Sequence, residues 1–177
     1  MRVITGSARG KKLIAPEGLE IRPTTDNVKE AMFNIIQFDI EGRRVLDLFA
    51  GTGQLGIECI SRGAAEVVFV DQSRTAVAAV KDNLKRCGFS AAVLQSDALA
   101  YLRGCGKFDV ILIDPPYGSG LYQPVLEQIA SVDILSEGGI IICESASDVL
   151  LPELQAPYSK AREYRHGKVR LTKYIRE

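Results

Sequence analysis

The stretch Val45-Leu46-Asp47-Leu48-Phe49-Ala50-Gly51-Thr52-Gly53-Gln54-Leu55-Gly56 decides the fold. A short apolar run enters it, glycines crowd its middle, and Gln54–Arg62 reads as a helix, so a strand turns here directly into a helix. Glycines at 51 and 53 let the backbone turn tightly and a ligand approach it closely. Gly51, Gly53 and Gly56 match the dinucleotide fingerprint, and Asp71 follows Gly51 by 20 residues at the end of the next strand. A carboxylate there accepts both hydroxyls of a ribose. Glycine turns after strands are common, but this setting and this spacing mark a nucleotide site.

Outward from that loop, short apolar runs alternate with helical patterns. Val45–Phe49, Val67–Val70, Ala92–Leu94, Val110–Ile113 and Ile140–Cys143 have the character of strands buried on both faces of a parallel sheet. Gln54–Arg62, Ser73–Cys87, Asp97–Arg103 and Tyr122–Val132 read as the intervening helices. Tyr158–Tyr164 and Val169–Ile175, with Gly167 between, read as an antiparallel hairpin. At the other end, residues 2–5 and 11–15 flank Gly6-Ser7-Ala8-Arg9-Gly10 as a short hairpin with a basic tip, and Pro23-Thr24-Thr25-Asp26 offers caps for a helix carrying Val28, Met32, Ile35 and Ile36. The expected fold is α/β: a Rossmann-like, doubly wound, mostly parallel sheet with an antiparallel C-terminal hairpin and a short N-terminal β-hairpin extension. Residues 1–22 form that extension and 23–177 the main domain.

Composition narrows the function. A chain of 177 residues that is 46% hydrophobic and 25% charged has ordinary globular composition, which excludes a disordered tail, a collagen-like chain or a coiled coil. No apolar run is long enough to span a bilayer and no signal peptide opens the chain, so a cytoplasmic protein without membrane contact is expected. The four cysteines, at 59, 87, 105 and 143, form no Cys-x-x-Cys pair, and the single histidine, His166, lies far from all of them in sequence. Free thiols and no metal are expected. His166, at a hairpin tip, is a poor general base.

The zero formal net charge hides an asymmetry. Residues 1–22 carry Arg2, Arg9, Lys11, Lys12 and Arg22 against two acids; residues 160–177 carry seven basic residues against two acids; the middle holds 10 basic and 18 acidic residues. Basic ends around an acidic middle suit a polyanion partner, since phosphate neutralisation supplies most non-specific affinity for nucleic acid. A solvated charged face explains the charge alone equally well.

Which nucleotide binds is decided by Asp47. A dinucleotide needs the helix N-terminus free for its pyrophosphate. Asp47 points negative charge at that pocket, which suits the α-ammonium of S-adenosylmethionine. Asp97-Ala98, after the third strand, offers an acceptor for the adenine amine, a helix N-cap, or both. After the fourth strand comes Asp114-Pro115-Pro116-Tyr117. The Asp114 carboxylate and the Pro115 carbonyl present two acceptors for the two hydrogens of an exocyclic amine, and Tyr117 an aromatic face for a base. Holding those hydrogens stabilises the positive charge that grows on a poorly nucleophilic aryl amine. Taken alone, the tetrapeptide is equally a proline-rich turn closing a strand.

Asp47–Gly53, Asp71, Asp97 and Asp114–Tyr117 together resemble class I S-adenosylmethionine-dependent N-methyltransferases of the Asp/Asn-Pro-Pro-Tyr type. With Arg22-Pro23-Thr24-Thr25-Asp26 and the basic hairpin ahead of it, nearly the whole chain is similar to the RsmD family of bacterial 16S rRNA (guanine-N2)-methyltransferases. The resemblance implies methylation of guanine 966 of 16S rRNA on the small (30S) subunit; a monomer is expected, though the sequence carries no signal for oligomeric state. Gln54 departs from the family, where a small residue is usual, as does Asp71, where Glu is frequent. The candidate residues are Asp114, Pro115, Pro116 and Tyr117 for catalysis; Thr24, Thr25, Asp47, Phe49, Ala50, Gly51, Gly53, Asp71, Gln72, Asp97 and Ala98 for S-adenosylmethionine; and Arg2, Arg9, Lys11, Lys12 and Arg22 for RNA. Rival readings are a methyltransferase acting on DNA adenine N6 or a protein glutamine amide, a non-catalytic RNA-binding module, and an NAD oxidoreductase.

Overall fold

A computed structural model describes residues 1–16 and 25–177. Strands β1 (Arg44–Asp47), β2 (Glu66–Asp71), β3 (Ala92–Gln95), β4 (Phe108–Ile113), β5 (Leu135–Ala146), β6 (Tyr158–His166) and β7 (Val169–Arg176) form one sheet in the order β3-β2-β1-β4-β5-β7-β6. The first five are parallel; β7 is antiparallel to β5, and β6 to β7. Helices α1 (Asp26–Ile35), α2 (Gln54–Ser61), α3 (Arg74–Cys87), α4 (Ala98–Leu102) and α5 (Tyr122–Val132) complete the described elements. The chain winds outward from β1 to β3, then returns past β1 to β4. The strand order therefore reverses between β1 and β4, and a crevice opens at their carboxyl ends.

The alternation along the strands builds two apolar layers. Val45, Val67, Phe69, Val110, Leu112, Ile140 and Ile142 face α1, α2 and α3. Their neighbours Leu46, Leu48, Val68, Val70, Ile111, Ile113, Ile141 and Cys143 face α4 and α5. Because both faces are covered, the strands are nearly continuous apolar runs. Ser73 and Asp97 cap α3 and α4, each side chain accepting from a backbone N–H three residues on, and Gly88 closes α3 in a left-handed conformation. The expected parallel strands and helices stand within two residues of their predicted ends, except that β5 runs from Leu135 to Ala146, starting five residues early beside a register shift at Phe108/Val110 and ending three residues late.

The N-terminal hairpin is present but shorter than expected. Its arms meet at one antiparallel bridge, Arg2 with Lys12, with Val3 N donating to the Lys11 carbonyl, Gly10 N to the Val3 carbonyl and Leu13 N to the Met1 carbonyl, and no extended strand forms. What anchors it to the rest of the fold is α2. The buried Glu58 carboxylate accepts from Ile4 N at 2.8 Å and Thr5 N at 2.9 Å, and Ser61 Oγ accepts from Ala8 N at 2.9 Å. Val3, Ala8 and Leu13 enter the same apolar layer as β1. Lys29 of α1, fully buried, stands 3.7 Å from Glu58 and donates to the Arg2 carbonyl; burial lowers its pKa. The short hairpin is thus pinned to α1 and α2 by buried polar contacts that its own sequence pattern does not signal.

Gly53, with φ +78°, ends the turn after β1, and Gly56 lets α2 lie against β2. A Cβ built on Gly56 would stand 2.2 Å from Phe69 Cε1, a ring with no exposed surface. Gly56→Ala should therefore cost roughly 1–3 kcal/mol through overpacking, about 2–4 °C of Tm per kcal/mol. Thermal melts of Gly56→Ala and of Gly56→Ala with Phe69→Leu will check this: the second change should recover part of the loss.

Candidate active site

The crevice between the β1 and β4 loops is a cleft of about 410 Å³, within the usual range for small-molecule sites. It brings together Asp47, Phe49, Ala50, Gly51, Asp71, Gln72, Asp97, Ala98 and the whole of Asp114–Tyr117. Residues from four separate strand ends converge there. Gly53 does not line the cleft; its absent side chain faces Val80 and Ile57 instead. Thr25 does not line it either: its Oγ1 caps α1 by accepting from Val28 N at 3.3 Å. Thr24 and Arg22 lie outside the described residues.

The wiring of the glycine loop decides what it can hold. Gly51 N donates to Asp71 Oδ2 at 2.9 Å, Gly56 N to Asp47 Oδ2 at 2.9 Å, and Gly53 N to the Ala50 carbonyl at 2.6 Å. Three amides that would cradle a pyrophosphate are already committed, two of them to carboxylates. Among the described residues lining the cleft are four aspartates and no lysine, arginine or histidine. A pyrophosphate would meet net negative charge there; a cationic ligand would be attracted. These observations disfavour the NAD reading.

Each carboxylate has its own setting. Asp71 also accepts from Ser73 N at 2.8 Å, so both oxygens are fixed by backbone donors while lone pairs remain for a diol. Asp97 is exposed, and its Oδ1 caps α4 by accepting from Ala100 N at 2.9 Å. Asp47 is only 2% exposed, and burial pushes its carboxyl up to about 7 against the opposing pull of the Gly56 amide, with Asp71 adding repulsion. Asp114 is half-buried where β4 ends, Pro115 is buried, and Tyr117 is 45% exposed at the cleft rim.

Among the lining or supporting residues that the sequence did not mark as part of the site, three carry polar groups that matter to it. Ser73 orients Asp71 through its amide. Tyr122, at the start of α5, donates its hydroxyl to the Glu144 carbonyl at 2.6 Å, fastening the chain that leaves Asp114–Tyr117 to β5; burial and nearby Asp114 raise its pKa. Gln54 lines the cleft with a buried Oε1 that has no hydrogen-bond partner among the described residues. Its position straight after Gly53 was the available signal. The basic residues fall elsewhere. The Gly6–Gly10 tip with Arg9 packs against Ser61, at the end of α2 remote from the cleft, and Arg2 pairs with Asp26 at 3.2 Å. Lys11 and Lys12 are exposed beside it, and none of these four lines the cleft. His166 is exposed at the end of β6. Among the described residues there is no metal-binding cluster, all four cysteines are free, and no helix is long and apolar enough to cross a membrane.

Strand order, acid-wired glycine loop and facing Asp-Pro-Pro-Tyr loop define a class I S-adenosylmethionine-dependent methyltransferase. The family model described as "Conserved hypothetical protein 95" matches residues 1–175. YlbH of Bacillus subtilis is 41% identical over 173 residues, covering 94% of each chain. Ribosomal RNA small subunit methyltransferase D of Escherichia coli is 34% identical over 180 residues, covering 100% of this chain and 90% of its own. The solved structure of Escherichia coli yhhF superposes with a TM-score of 0.90 at 32% identity, over 100% of this chain and 98% of that one. The chain belongs to the RsmD family.

The buried Asp47 yields a sign that can be checked. Its folded pKa lies above the unfolded value, so the native state binds the extra proton between about pH 4 and pH 7 and loses stability as pH rises through that window. Asp47→Asn removes this dependence. The Tm difference, Asp47→Asn minus wild type, should grow from pH 5 to pH 8 in ligand-free protein; a difference independent of pH would place Asp47 in a solvated setting.

Proposed function

We propose that this protein transfers the methyl group of S-adenosylmethionine to the exocyclic N2 amine of a guanine in 16S rRNA of the small ribosomal subunit, guanine 966 by its family resemblance. It does so in the cytoplasm, as a monomer and without a metal. The observation that carries the reading is the cleft itself: carboxylates at 47, 71 and 97 on one side, and the Asp114–Tyr117 loop on the other. The family's rRNA-methylating relative supports the substrate class.

The cleft residues fit the cofactor. Asp71, held by two backbone amides, would accept the ribose hydroxyls; Asp97 and Ala98 would meet the adenine; Asp47 and its neighbours Phe49 and Ala50 would face the methionine portion. S-adenosylmethionine, when bound, supplies a methyl group on a positively charged sulfur. An ammonium beside Asp47 favours its ionised form and lowers its pKa.

On the other wall, the chain's task is to hold an amine. Asp114 Oδ and the Pro115 carbonyl each accept one N2 hydrogen, which turns the nitrogen lone pair out of conjugation with the ring. The Asp114 charge then opposes the cation that develops on nitrogen, inside a half-buried site where such an interaction is strong. Tyr117 offers its ring to a base drawn out of the RNA stack. No base need remove a proton before attack, because the nitrogen becomes acidic only once methylated. The exposed His166 is dispensable for chemistry on this reading.

Single-turnover methyl transfer to purified small subunits tests these roles. Asp114→Asn keeps an acceptor oxygen and loses the charge; Asp114→Ala loses both. Both should slow transfer, Ala more, on the order of 10²–10³-fold, with affinity for S-adenosylhomocysteine unchanged. Asp71→Ala should do the reverse, weakening S-adenosylhomocysteine by about 5- to 150-fold in calorimetry. Full activity in Asp114→Ala would end the proposed mechanism.

A further inference from the structure

The C-terminal hairpin rises on the acceptor side of the cleft. Ile113, the last residue of β4, pairs with Cys143 of β5, which pairs with Thr172 of β7. From that level β7 and β6 continue past the end of β4 to Val169 and His166, about 10 Å further at the usual rise per residue. They run in the direction in which Asp114–Tyr117 leaves β4. At about 4.8 Å between strands, β7 and β6 lie roughly 10 and 14 Å to the side of β4, on the flank away from β1, β2 and β3. The hairpin tip therefore stands beside the acceptor loop, with the cofactor wall on the opposite flank.

That tip is basic and exposed. Arg165, His166 and Lys168 are exposed around Gly167, and Arg162 follows down β6 over the Tyr164 ring. Among the described residues no ion pair engages Arg162, Arg165 or Lys168, whereas Lys160, Arg170, Lys173 and Arg176 of the same hairpin are all paired with acids. Cross-strand neighbours Arg165 and Arg170 carry like charges, an arrangement that costs stability unless an anion lies between them or solvent separates them. The cleft beside the tip is lined by aspartates, so an RNA entering it meets repulsion that a flanking cationic surface offsets.

We infer that the β6–β7 tip, through Arg165 and Lys168, grips phosphates of the RNA strand a few nucleotides from the base held at Asp114–Tyr117. This inference rests on the RNA substrate proposed above. It makes the C-terminal hairpin the substrate contact nearest the chemistry. The N-terminal basic tip, packed at the remote end of α2, then reaches a different part of the subunit.

The test is binding of full-length protein to small subunits lacking the modification across a salt series, with S-adenosylhomocysteine calorimetry alongside. Replacing both Arg165→Gln and Lys168→Gln should weaken binding on the order of tenfold at 0.1 M salt and reduce the log–log salt slope by about 1.5, as expected for two lost phosphate contacts. Arg165→Lys with Lys168 intact should keep the wild-type slope, and Lys85→Gln with Arg86→Gln, exposed at the far end of α3, should change neither. Cofactor-product affinity should be unaltered. A double variant with the wild-type slope, in a protein whose wild type methylates the subunit, overturns the hairpin inference and leaves the function standing. Loss of S-adenosylhomocysteine affinity in the double variant would mean a structural role and overturns it too. A wild type that neither binds nor methylates the subunit removes the function and this inference with it.

Discussion

Helix α2 can start where strand β1 ends only because Gly56 presents no side chain to Phe69, and that contact organises the cleft. With the helix pressed against β2, the Gly56 amide reaches the buried Asp47 carboxylate at 2.9 Å, and the turn between them is forced through two glycines with positive φ. The same turn aims the Gly51 amide at Asp71 on the neighbouring strand. One close approach of helix to sheet thus sets the position of two carboxylates. It also fills the amides that a phosphate would otherwise claim, so the loop that matches a dinucleotide fingerprint in sequence presents, in space, carboxylates suited to the proposed ammonium and ribose.

The second constraint is the reversal of strand order between β1 and β4. It divides the cleft into a wall of carboxylates from β1, β2 and β3 and a wall built from the Asp114–Tyr117 loop, which Tyr122 ties to β5. On the proposed function the cofactor and the acceptor take opposite walls, so changes on one wall should leave binding at the other intact. Charge follows the same geometry: the cleft is lined by four aspartates and, among the described residues, by no basic side chain, whereas Arg162, Arg165 and Lys168 lie outside it.

Much of this was legible because the relevant signals are local. Strand, glycine turn and helix are contiguous from Val45 to Gly56, and the parallel strands, buried on both faces, announce themselves as apolar runs. The Asp114–Tyr117 loop could be assigned to the cleft because strand ends are where such sheets bind ligands. Other features depend on partners distant in sequence. Residues 2–15 pattern as a hairpin and form a short one, but its anchoring by Glu58, Ser61 and Lys29 follows from no periodicity. Thr25 and Gly53 sit in the right motifs but serve the backbone. The placement of the basic tips was also invisible: only the register of β5 against β7 puts one beside the Asp114–Tyr117 loop, and only the packing against Ser61 puts the other away from it.

The central claim is that the two walls of one cleft bring a methyl donor and a guanine amine together. The most direct measurement is transfer of a tritiated methyl group from S-adenosylmethionine to small subunits that lack the modification, followed by digestion of the 16S rRNA and separation of its nucleosides. The account predicts that the label co-migrates with N2-methylguanosine and is absent when the protein is omitted. Label in N6-methyladenosine, in ribosomal protein, or nowhere would contradict it.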